Sequence, residues 1–113
     1  MKKFIVLYAA PIDAMQQMDG STSEEKEEGM KAWMEWAASC GGNLVDMGNP
    51  LANGTRIVPG GGIAESETKV TGFSVMQAAS REEVITLLKD HPHLAWNPDC
   101  AIEVHEYLPL PGN

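Results

Sequence analysis

The chain has 113 residues, 43% of them hydrophobic, with 16 acidic against 8 basic side chains and a formal net charge of −8. That length reads as a single domain, residues 1–113, with a modest core. The charge speaks against nucleic acid and anionic membrane surfaces, which need clustered Lys and Arg, and no apolar run approaches the ~20 residues of a membrane span.

Lys2 and Lys3 followed by apolar residues 4–10 imitate a short secretion signal, but the run is rich in strand formers and ends at Pro11, so residues 3–10 read as the first strand. Residues 11–23 are polar. Thr22 and Glu25 then form a capping box, with acidic residues 24, 25, 27 and 28 suited to the positive end of a helix dipole. The helix runs to about Cys40, with Met30, Trp33, Met34 and Ala37 as its expected buried stripe, and Gly41-Gly42 ends it. Residues 43–46 form a short strand, 49–54 a loop, 55–58 a short extended piece, and 59–62 a Pro-Gly-Gly-Gly turn. Residues 69–79 read as a long antiparallel strand. Ser80 and Glu83 start a second helix that reaches about Asp90 and is expected to bury Val84, Ile85, Leu87 and Leu88. His91-Pro92-His93 forms a turn that stops it. Residues 101–108 make the closing strand, and 109–113 an extended tail.

Strand–helix–strand thus occurs twice, the layout of a ferredoxin-like α+β domain with an antiparallel sheet and two main helices. The first strand is apolar on both faces: Phe4, Val6 and Tyr8 on one, Ile5, Leu7 and Ala9 on the other. Two helices cover one face of such a sheet, so a second copy of the chain is expected to cover the other, giving a homodimer. Cys40 and Cys100 lack any paired spacing, which fits free thiols in a reducing, cytoplasmic setting, with a single bridge between them left open.

The segments 3–11, 30–36, 49–51, 72–78, 91–94 and 102–104 together resemble YCII-related proteins, through their order along nearly the whole chain. The resemblance implies a dimeric α+β barrel of ferredoxin-like subunits, and some relatives of that fold act on small aromatic or lactone-like compounds. The Asp-Gly-Pro-Phe signature of one branch is absent; Gly61-Gly62-Ile63-Ala64-Glu65 stands where it would fall. Another branch pairs an early histidine with an aspartate, and this chain has no histidine before His91. No catalytic residue is carried over from the family.

Glu103, His105 and Tyr107 share one face of the closing strand. A carboxylate and an imidazole two apart suit an acid–base pair, since histidine titrates near neutrality; an interfacial hydrogen-bond network is the competing account. His91 and His93 are candidate ligand contacts, and with His105 and Glu103 they would offer metal-binding nitrogens and an oxygen if the strands brought them together. The alternative is a plain helix terminus, and no metal site is assigned. Trp33 reads as core; Trp36 and Trp96 are candidates for a pocket mouth, with Tyr8 and Asp13 as further ligand contacts. Gly60-Gly61-Gly62 is not followed by Gly-Lys-Ser/Thr and is no phosphate loop, and no cofactor is expected. Cys40 reads as a buried structural thiol. The expected function is binding, with turnover as a further step, of a small organic molecule between sheet and helices; the alternative is a non-catalytic interaction or regulatory module.

Overall fold

A computed structural model describes residues 1–12, 16 and 19–112. The elements in chain order are β1 (Lys2–Ala9), α1 (Ser23–Cys40), a 3-10 turn (Gly41–Asn43), β2 (Leu44–Asp46), β3 (Thr55–Ile57), β4 (Ile63–Glu65), β5 (Val70–Ala78), α2 (Arg81–Leu88), α3 (Pro92–Trp96) and β6 (Ala101–Glu106). The fold is α+β. A four-stranded antiparallel sheet has the order β2-β5-β1-β6, and β3 and β4 form a separate two-stranded hairpin.

Strict alternation along β1 sets the sheet's two faces. Phe4, Val6 and Tyr8 are buried and lie opposite Met76, Ser74 and Gly72 of β5. On that face Trp36 and Cys40 of α1 and Val84 and Leu88 of α2 complete the core. Burying each large apolar side chain there contributes roughly 1.5–3 kcal/mol. The other face carries Ile5 opposite Val75 and Leu7 opposite Phe73, all half-buried, with Val45 46% exposed, and no described element covers it.

Both helix starts take the form that their sequences prescribe. Thr22 accepts from the Glu25 amide at 3.1 Å while the Glu25 carboxylate accepts from the Thr22 amide at 3.2 Å. Ser80 accepts from the Glu83 amide at 3.3 Å. Each cap is worth about 1 kcal/mol.

Four expectations need correction. Met30 and Met34 are 56% and 53% exposed, and the buried residues of α1 are Trp36 and Cys40. The indole N–H of Trp36 donates to the Leu87 carbonyl at 2.8 Å, which turns the helix about its axis toward α2. Ile85 is 41% exposed, because α2 is two turns long and turns Val84 and Leu88, with Leu87 half-buried beside them, toward the core. The segment after α2 is also more than a stop. Pro92 opens α3, where its missing N–H costs nothing, and His91 is the N-cap. Residues 63–65, not anticipated as a strand, pair with β3 across the turn at 59–62, where Gly60 and Gly61 take φ of 94° and 88°. Cys40 and Cys100 are both free thiols, and burial pushes both above their ordinary pKa. Among the described residues, no helix is long and apolar enough to cross a membrane.

Candidate functional site

Residues 23–31 of α1 are all exposed, so the first half of this helix overhangs the sheet instead of packing on it. Beneath it lies a cleft of about 400 Å³, within the range of small-molecule sites. Glu25, Lys26, Gly29 and Trp33 line it from one face of the helix, at the three- and four-residue spacing that puts side chains in register. Residues 71–73 of β5 and Tyr8 make its floor, and Pro92, His93 and Trp96 of α3 close one side.

The loop 47–50 forms the remaining wall and is held tightly. Gly48 has φ of 80°, and a Cβ there would collide with the Phe73 carbonyl oxygen. Its amide donates to the Asp46 carboxylate at 2.9 Å, and the Ser74 hydroxyl donates to the Met47 carbonyl at 2.8 Å. Only glycine allows the loop to lie this close to β5.

The polar groups of the floor are neutral. Tyr8 shares a 2.8 Å hydrogen bond with the Ser74 hydroxyl, and burial pushes its phenol up to about 12 despite that bond. His93 Nε2 stands 2.7 Å from the Ala9 carbonyl and therefore donates to it. Burial lowers the His93 pKa, against the upward pull of the Ala9 and Ala101 carbonyls. Behind them lies His91, 1% exposed, whose Nδ1 accepts from the His93 amide at 2.9 Å. Its ring is edge-on to Trp33 and steeply tilted to Trp36, each with centroids 4.3 Å away, and has Tyr8 at 4.9 Å. Burial, and secondarily the neighbouring His93, push the His91 pKa down to about 3. With Nδ1 accepting, its Nε2 carries the hydrogen, and this atom has no hydrogen-bond partner among the described residues. Aromatic faces are what surround it, and a weak N–H···π contact is its best available arrangement.

The other candidate residues fall elsewhere. His105 and Glu103 do pair, at 3.0 Å, but both are more than half exposed. They sit across from Ile5 and Leu7 on the open face of the sheet. The sheet separates them from His91 and His93, so the three imidazoles do not converge. Among the described residues, no three of His, Cys, Asp and Glu stand together as metal ligands would. Tyr107 is 48% exposed beyond β6. Trp36 is buried behind the cleft and not at its mouth, a place taken by Trp33 and Trp96. Asp13 lies outside the described residues. A second hollow, of about 360 Å³ and bordered by Lys69, Asn53 and Ser66, is more polar and holds no histidine.

Three contributors to the cleft were not legible as such. Gly29, Gly48 and the Asn49-Pro50 loop line it through backbone and small surfaces. The signal available for Gly29 was a glycine inside a capped helix, where alanine would be more stable. Comparison with models of protein families and with curated proteins finds no match to this chain.

Proposed function

We propose that this protein binds a small organic molecule in the cleft under α1, as one subunit of a homodimeric α+β barrel of ferredoxin-like, YCII-related subunits. One observation carries the binding role: a cleft of about 400 Å³ walled by Trp33, Trp96, Met30 and Pro92, with two neutral polar groups, Tyr8 in its floor and His93 at its side. An apolar hollow with a few placed polar groups is the usual form of a small-molecule site. The strand order β2-β5-β1-β6 with both main helices on one side supports the ferredoxin-like description. The open apolar face at Ile5, Leu7, Phe73 and Val75 supports pairing of two sheets. In such a dimer His105 and Glu103 would lie at the sheet-to-sheet interface, where turnover would involve them as an acid–base pair.

The test of binding is a titration of isotope-labelled protein with indole, followed by backbone amide shifts. Saturable shifts at Gly29, Gly48 and Gly72 are expected. Shifts confined to other surfaces, or none, refute the reading. The dimer is tested by sedimentation at micromolar concentration, where Val75→Asp is expected to give a folded monomer. A native chain that already sediments as a single folded subunit refutes it.

Exposed Met30 and Met34 favour a second reading, a non-catalytic interaction module that docks a protein on α1. That reading expects a stoichiometric protein partner from native cells and no shift of the cleft amides with small molecules.

A further inference from the structure

The side-chain hydroxyls at the floor of the cleft have lone pairs to offer and no free hydrogens. The Ser74 hydroxyl has one proton, and the Met47 carbonyl receives it. The 2.8 Å contact between Tyr8 and Ser74 therefore has Tyr8 as the donor, and the phenol's only hydrogen is committed. His93 donates through Nε2 to the Ala9 carbonyl, and the Ala101 carbonyl also acts on its ring, so this histidine is engaged with backbone. The cleft is the open space that His93 lines. Burial keeps both rings uncharged at neutral pH, which preserves this one-sided arrangement.

The opposite wall carries a second feature. Gly29 lies inside α1, where glycine weakens a helix relative to alanine. Nothing stands within 4 Å of the place its Cβ would occupy, and its backbone is helical. Neither a neighbour nor the backbone conformation requires glycine at this position. Its missing side chain does leave bare helix backbone along the cleft, between Lys26 and Trp33 on the same face.

We propose that the cleft takes a flat aromatic molecule with an N–H or O–H donor at its buried end, its ring lying along the bare helix at Gly29 beside Trp33 and Trp96. This rests on the binding role proposed above and specifies its ligand. The donor meets the Tyr8 oxygen. A carboxylate or phosphate at that end meets the Tyr8 lone pair and is disfavoured. A ring of the same shape without the donor leaves that acceptor dry and unpaired, and such sites discriminate strongly against the analogue that lacks the hydrogen. The mouth carries Glu25 and Lys26, one charge of each sign, and so does not select for net charge.

The test compares indole with benzofuran, a ring of nearly the same shape in which an oxygen replaces the N–H. Each is titrated into labelled protein, and the Gly29 and Gly72 amides are followed. Indole is expected to bind at least about tenfold more tightly. In Tyr8→Phe that preference is expected to shrink severalfold, because Ser74 keeps its own bond to Met47 while the phenol oxygen is gone. In Gly29→Leu, which fills the wall, indole is expected to bind at least about tenfold more weakly while the melting temperature does not fall. Equal binding of indole and benzofuran overturns the donor requirement and leaves the cleft a binding site. Undiminished preference in Tyr8→Phe overturns Tyr8 as an acceptor. Undiminished binding to Gly29→Leu overturns the placement of the ring. Shifts with neither probe overturn this inference together with the reading on which it rests.

Discussion

Mild acid should destabilise this protein through His91. The ring is 1% exposed and packed against Trp33 and Trp36 at 4.3 Å, and its Nδ1 already accepts the His93 amide. A second proton would have to go onto Nδ1, which breaks the cap of α3 and places a charge among aromatic rings. The folded pKa is accordingly about 3, against an ordinary value of 6.5. The unfolded chain therefore binds a proton below pH 6.5 that the folded chain refuses. Stability is full above that value and falls as pH drops toward 3, by up to about 1.4 kcal/mol per pH unit. At pH 5.5 the unfolded imidazole is protonated about ten to one, and RT ln 11 gives a loss of about 1.4 kcal/mol relative to pH 7.5. His93, also lowered by burial, adds a loss of the same sign. The assay is urea unfolding at pH 7.5 and 5.5, with His91→Asn alongside. Asparagine keeps a capping acceptor but does not titrate. The variant should be less stable at both pH values because the aromatic cage loses a ring, yet its pH dependence should be smaller by about 1.4 kcal/mol. Equal stability of the native protein at the two pH values, or the same pH dependence in the variant, refutes the argument.

Two further substitutions probe the frame around the cleft. Gly48→Ala should destabilise the protein by about 3 kcal/mol or more in thermal or urea unfolding, since the residue has φ of 80° and a Cβ would strike the Phe73 carbonyl. A neutral effect would mean that the loop 47–50 does not lie against β5. Trp36→Phe keeps an aromatic ring in the core but leaves the Leu87 carbonyl without its 2.8 Å donor, and should cost about 1–3 kcal/mol by urea unfolding. Full retention of stability would show that this bond does not couple α1 to α2.

The dyad of His105 and Glu103 shows how far sequence spacing reaches. Two residues apart on a strand, they were bound to share a face, and they do meet, at 3.0 Å. Which face that would be depended on the pairing of β6 with β1, and that pairing puts them across the sheet from the cleft. The histidines at 91 and 93 show the converse. Pro92 marked a helix boundary, but the sequence around it does not say whether a helix ends or begins there. Burial of His91 against two tryptophans from α1, more than fifty residues earlier, decides the matter.

Local order in this chain follows from near-neighbour rules, and these are readable in the sequence. Thr22 with Glu25 and Ser80 with Glu83 start helices, alternation makes 2–9 and 70–78 two-sided strands, and the two strand–helix–strand passes lead to an antiparallel α+β sheet. The rotation of α1 about its axis obeys no such rule, because Met30, Met34, Trp33 and Trp36 are all large side chains that can be buried in a core. Their places were decided by tertiary packing: Trp36 joins the core and donates to the Leu87 carbonyl of α2, while Met30 and Met34 stay exposed. The cleft is still further from the sequence: it is the space left where half a helix stands off the sheet, and a space between elements exists only once distant segments have packed.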